Sequence, residues 1–137
     1  MQNLDQIRAA KALDAAKLKN GKYRFTRADV AGFPALIIQN GLLAAFAYAS
    51  EDGKDARKGI RFACDQTAEH LANTIHGIAV LANRRTGSAL IDTLSKDPAS
   101  TQDLQRATAE ALAFFAFLKR FAAKNQPSAA NQPQPST

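Results

Sequence analysis

Residues 33–50, FPALIIQNGLLAAFAYAS, are the least polar stretch of the chain. At 100° per residue their apolar side chains spread almost all round: Leu36, Leu43 and Ala47 on one side, Ile37, Ala44 and Tyr48 next to them, Ile38, Leu42 and Ala49 opposite. That distribution predicts a central core helix. Pro34 lacks a backbone donor and has a fixed φ, so it suits a first helical turn, and the helix should begin at Phe33 or Pro34. The stretch is short for a bilayer span and holds Gln39 and Asn40, so a membrane segment is not expected. Gly41 falls beside Ile37, Ala45 and Tyr48, where its missing side chain suits close packing of a neighbouring helix better than a ligand contact. Gln39 and Asn40 should either face solvent along a narrow strip or pair with another chain.

The remaining pattern is also helical. Residues 3–19 carry no Gly or Pro, with Asn3 placed to cap the start and Gly21 to stop the end. Thr26 can cap one or two further turns. Ile60, Cys64, Ala68, Leu71, Ile75 and Ile78 recur at amphipathic spacing and predict a helix over 60–82 after a charged loop at 51–59. A turn at 83–87 precedes a short helix capped by Ser88. In the last helix, about 99–124, Leu104, Thr108, Ala111, Phe115, Leu118 and Ala122 form one stripe, and Phe114, Phe117 and Phe121 form its neighbour. The expected fold is all-α: a compact single-domain helical bundle of about five to six helices over residues 1–124. Residues 125–137 form a Pro/Gln-rich tail without charge, expected to be disordered.

Composition narrows the possible chemistry. The start of the chain has no apolar run of signal-peptide length, so a cytoplasmic protein is expected. A single cysteine, Cys64, can form no internal disulfide and reads as a small buried hydrophobe. His70 and His76 are six residues apart, about 240° around one helix, which is the wrong geometry for two metal ligands on one face. Asp65 and Glu69 share a face, but Arg61 one turn earlier makes a solvated charge ladder the better reading. No phosphate loop and no nucleophile motif occurs. The expectation is therefore no enzyme, no metal and no cofactor.

Eighteen Lys and Arg against 12 Asp and Glu give a formal net charge of +6, a surplus suited to a polyanion. Lys54, Arg57, Lys58 and Arg61 stand at i, i+3, i+4 and i+7 and would make one positive ridge if the third helix starts early. Arg8 and Lys11 form a smaller pair, Arg84 and Arg85 share a turn, and Lys119 and Arg120 lie in the final helical turns. These ten residues are the candidate phosphate contacts.

Three segments, in order, resemble the small helical subunit of the type III-B CRISPR RNA-guided effector complex, the Cmr module. Gln6 to Ala9 resemble its opening Gln-x-Arg-Ala; Pro34, Ile37, Asn40, Gly41 and Leu42 resemble its central Pro-x-x-Ile-x-x-Asn-Gly-Leu. Arg106, Glu110, Ala111, Leu112, Leu118, Lys119, Arg120 and Phe121 resemble its C-terminal motif, with Leu104 in place of a usual Tyr and Phe117 in place of a usual Trp. Residues 51–98 match only in helical character. The resemblance implies a non-catalytic, all-helical subunit in antiviral defence. It would be present in several copies, stacked beside the backbone subunits, with guide RNA, target RNA and other Cmr subunits as partners and a basic surface lining the target-RNA groove. Pro34, Asn40 and Gly41 would then mark a packing or subunit-interface motif. The rival readings are a helix-turn-helix DNA-binding regulator and a structural helical adaptor. The first is disfavoured by an aromatic-laden last helix and a ridge without Asn or Gln for base contacts.

Overall fold

In the computed structural model, residues 3–51, 55–96 and 99–127 are described. The chain runs through α1 (Leu4–Ala15), β1 (Leu18–Lys19), β2 (Lys22–Tyr23), α2 (Arg27–Val30), α3 (Phe33–Asn40) and α4 (Leu42–Ala49), then α5 (Lys58–Leu71), α6 (Gly87–Leu94) and α7 (Thr101–Phe121). Six of these helices span eight residues or more, and the only sheet among the described residues is the small β1–β2 pair. The fold is all-α, as its Ala-rich, helix-periodic sequence predicts.

The long helix α7 is the spine. Ser100 caps it by accepting from the Asp103 backbone, while the Asp103 carboxylate accepts from the Ser100 backbone in return. Its inward face buries Ala107, Ala111, Phe114, Phe115 and Leu118, against which α1, α2, α3 and α5 pack. Phe33 meets Phe115 with ring centres 5.0 Å apart and Phe46 at 5.8 Å, joining α3 and α4 to the spine through aromatic contact. On α5 the buried stripe is Ile60, Cys64, Ala68 and Leu71, so Cys64 is the core residue its surroundings imply. Phe117 and Phe121 are only half-buried and pair with each other at the helix end.

Four expectations are corrected. The first helix ends at Ala15, because Asn20 and Gly21 both take positive φ and turn the chain into a hairpin pairing Leu18 with Tyr23. The α5 stripe stops at Leu71; Asn73 then caps a 3-10 turn, Thr74–His76, which leaves Ile75 51% exposed. Thr86 rather than Ser88 caps α6, accepting from the Ala89 backbone at 3.1 Å. The continuous core helix over 33–50 is two helices, broken at Gly41.

At Gly41 φ is +88° and ψ 160°, a backbone region essentially confined to glycine, and a Cβ placed there would meet nothing within 4 Å. Gly41 therefore serves a corner and not a close packing contact. Pro34 does occupy the first turn of α3. The two helices bury one side, Phe33 and Ile37, then Leu42, Ala45, Phe46 and Ala49. Their other side carries Ile38, Gln39, Asn40 and Tyr48 into solvent, so this segment is a surface corner and not a central helix. A real close approach occurs at Gly59, where a Cβ would lie 2.2 Å from the Asp29 carboxylate. Asp29 is fixed there because it accepts from the Thr26 backbone at 2.8 Å.

The described chain continues past α7: Gln126 accepts from the Tyr23 backbone at 2.9 Å and donates to its carbonyl at 2.5 Å, tying the chain end to β2. The rest of the Pro/Gln-rich tail, 128–137, lies outside the described residues.

Gly41→Ala should lower stability by roughly 1–3 kcal/mol through backbone strain alone. Gly32→Ala, at φ −90° with open space at the Cβ, should change it little. Urea denaturation of the two variants beside the wild type checks the contrast; equal effects would remove the strain account.

Candidate nucleic-acid interface

The candidate cations fall into two groups once carboxylates from distant elements are in place. Arg8 turns inward. Its Nε and Nη2 donate to Glu110 at 2.7 Å each in a two-pronged pair, and its Nη1 donates to Asp5 at 2.8 Å. Its side chain is 17% exposed and that of Glu110 11%, so α1 and α7 are joined by a largely buried, bidentate bond. Lys11 reaches Glu69 of α5 at 3.0 Å.

The predicted ridge on α5 also changes meaning. Lys54 lies outside the described residues. Arg57 stacks over the Tyr48 ring at 3.7 Å, donates to the Tyr48 carbonyl, and forms an ion pair with Glu51. Arg61 donates to the Glu51 carbonyl at 2.7 Å. Arg57 and Arg61 thus clamp the chain leaving α4, and of the described members of the ridge only Lys58 is exposed without an ion pair. Nor is the predicted ladder of Arg61, Asp65 and Glu69 a solvated row. Asp65 accepts from the Gly87 backbone at 2.8 Å and anchors the start of α6, while Glu69 holds Lys11.

Other cations face outward. Arg84 and Arg85 are exposed in the turn before α6, and Arg85 shares with Lys11 and Asn73 a groove of about 550 Å³ between α1 and the end of α5. Lys119 and Arg120 are exposed in the last turn of α7. Arg27, from the first turn of α2, joins them around a cleft of about 440 Å³, its backbone bonded to the Ala123 carbonyl at 2.8 Å. Arg24 lies over the Phe62 ring nearby in sequence, at 4.1 Å. Arg106 is exposed on α7, and the spacing Arg106, Ala109, Ala113, Ala116, Arg120 places it on the same side as Arg120, about 21 Å away along the helix. Arg27 and Arg106 were not among the sequence candidates. Arg27 could not be linked to Lys119 without the tertiary fold, whereas Arg106 was legible from helical periodicity.

Behind this surface lies a polar cluster that sequence spacing had ruled out. Because α5 ends at Leu71 and the chain doubles back, His76 returns to His70 with ring centres 4.3 Å apart. His70 is stacked on Phe114 at 4.3 Å, and its Nε2 donates to Glu110 at 2.9 Å; a carboxylate only accepts, so the proton sits on Nε2. Nδ1 of His76 lies 3.8 Å from the other Glu110 oxygen. Burial, the largest influence on each histidine, depresses its basicity below the ordinary value. Burial would raise the Glu110 carboxyl, but hydrogen bonds from Arg8 and His70 and the nearby positive charge outweigh it and hold it at about 2. One donor atom from each of His70, His76 and Glu110 comes within 4.8 Å of the others, close enough in principle for a metal ion. The Arg8 guanidinium already occupies both Glu110 oxygens, however, so a divalent cation would face a fixed positive charge. The arrangement is a closed ion-pair and proton site.

The family model described as CRISPR-associated protein (Cas_Cmr5) matches residues 4–124. No curated protein and no solved structure matches the chain.

Removing one partner of the Arg8–Glu110 pair leaves the other charge in a mostly buried site. Arg8→Ala or Glu110→Ala should each cost about 3 kcal/mol. The double variant should recover roughly 1–3 kcal/mol of the summed loss as coupling, measured by urea denaturation in a double-mutant cycle. Additive losses would mean that the pair contributes nothing specific. Because the Glu110 carboxyl is held low, its contribution is complete above pH 4.5 and is lost as the pH falls from there toward about 2. Glu110→Gln should flatten that part of the stability profile.

Proposed function

Since the chain belongs to the Cas_Cmr5 family of CRISPR-associated proteins, we propose that it is a non-catalytic subunit holding RNA within the Cmr effector complex. The family match over 4–124 carries this reading, and it makes the chain a CRISPR-associated small subunit of the type III-B module. In the finer reading the subunit stacks beside the backbone subunits and its own copies in the cytoplasm, and contacts the guide and target RNA duplex through phosphates in antiviral defence.

The charge distribution supports this reading. Lys119, Arg120 and Arg27 frame one cleft, and Arg106 lies about 21 Å along the same helix, a span suited to successive phosphates of a backbone. The side chains of Lys119, Arg120 and Arg106 make no ion pair among the described residues, so their charge is available to a polyanion. Backbone contacts without base readout are what a guided system needs from such a subunit, since base pairing supplies the sequence. No described helix is long and apolar enough to cross a membrane.

The test is RNA binding by the assembled complex carrying Lys119→Glu with Arg120→Glu, titrated across salt concentrations. If both side chains contact phosphates, target-RNA affinity should fall at least tenfold. The slope of log affinity against log salt should shrink by roughly 1.4, about 0.7 for each contact on a single strand. Arg57→Glu should instead loosen the loop it clamps, visible as lower stability of the isolated chain. A complex that assembles and binds RNA with unchanged affinity and salt slope would refute the α7 surface and favour a purely structural adaptor.

A further inference from the structure

Four side chains from four elements meet where α1 crosses α7: Arg8 of α1, His70 of α5, His76 of the 3-10 turn and Glu110 of α7. This meeting point matters because α1 is lightly anchored. It buries only Ala12 and Ala15 completely, while Leu4 and Leu13 are 41% and 50% exposed, so no large side chain roots it in the core. The helix depends on its polar bonds to a degree that α4, α5 and α7 do not.

The charge balance at the crossing is tight. The ionisable groups around the two imidazoles are Asp5, Arg8 and Lys11 from α1, Glu69 from α5, Arg85 from the turn before α6, and Arg106 and Glu110 from α7. Glu69 is taken by Lys11, and Asp5 sits on the solvent side of Arg8 with 73% of its side chain exposed. Glu110 alone therefore balances the interior. With neutral imidazoles it faces one full cation, Arg8. The His76 Nε2 atom is buried and has no hydrogen-bond partner, so a proton added there would be a desolvated donor without an acceptor.

We propose that His70 and His76 form an acid-operated latch: protonation sets three cations against the single carboxylate of Glu110 and frees α1 from α7 while the remaining helices stay folded. The direction follows from linkage. Both histidines are harder to protonate in the folded chain than at the ordinary value of 6.5, so the closed state has its full stability above that pH and loses it as the pH falls below. This device is independent of whether the α7 surface binds RNA.

The experiment is residue-level hydrogen exchange of the full chain between pH 7.5 and 5, expressed as protection factors. Protection of the α1 amides should fall by roughly tenfold per pH unit while one histidine titrates, and more steeply where both do, with α7 amides still protected. In His76→Gln the decline should be shallower. Two results would overturn the latch: α1 protection that does not change with pH, or α1 and α7 losing protection together. If the variant fails to fold, the wild-type imidazole signals decide by nuclear magnetic resonance. Rings that titrate together with α1 opening support the latch, and rings that gain protons while α1 stays protected refute it.

Discussion

The bond between Arg8 and Glu110 is the constraint on which much of the molecule depends. A helix that meets its neighbour mainly through alanine gains little from apolar burial, at about 25 cal/mol per Å² of area removed from water. The first helix is such a case, with Ala12 and Ala15 as its completely buried residues. What it lacks in side-chain volume is supplied by a bidentate guanidinium–carboxylate pair in a mostly buried site, where a charge-assisted bond is directional as well as strong. The pair fixes both the height and the rotation of α1 on α7. It also selects the tautomer of His70, since the second acceptor site on Oε2 can be filled only by a ring N–H.

From that crossing the rest of the bundle follows α7. Its inward face carries two adjacent, fully buried phenylalanines: Phe115 packs against Phe33 of α3 and Phe114 lies flat on His70 of α5. One helix therefore holds the apolar centre on one part of its circumference and the polar cluster beside it. The outer part is left with small residues, Ala109 and Ala116, between exposed arginines. This division is a direct product of 3.6 residues per turn acting on a 21-residue helix.

How much of this was legible in the sequence depended on the range of the interaction. Helix content, the Asn3 cap, the start of α3 at Pro34 and the buried face of α7 are local properties, and they were readable from spacing and residue type. Asn20–Gly21 was equally local: this pair favours positive φ at both positions and a two-residue hairpin, a turn signal obscured by the helical run before it. At Gly41 the misreading came from treating glycine as space when its use here is conformational. The histidine cluster was beyond any periodicity argument. Six residues separate His70 from His76 by 240° only if the helix continues, and Asn73 ends that premise by capping a new turn.

The fate of the basic residues makes the same distinction between local and long-range order. Sequence shows 18 cations and 12 carboxylates, and clusters along the chain give every cation equal standing. Folding does not preserve that equality. Glu110 is 102 residues from Arg8, Glu69 comes from another helix to Lys11, and Glu51 is held by Arg57 and Arg61. Carboxylates thus neutralise the α1 side and the chain entering α5, and the formal surplus of +6 is left to collect elsewhere. It collects where side chains lack such partners: at Lys119 and Arg120, at Arg106, and in the Arg84–Arg85 turn. A net charge read from composition becomes a directed surface only after internal pairing has removed the cations that serve the fold.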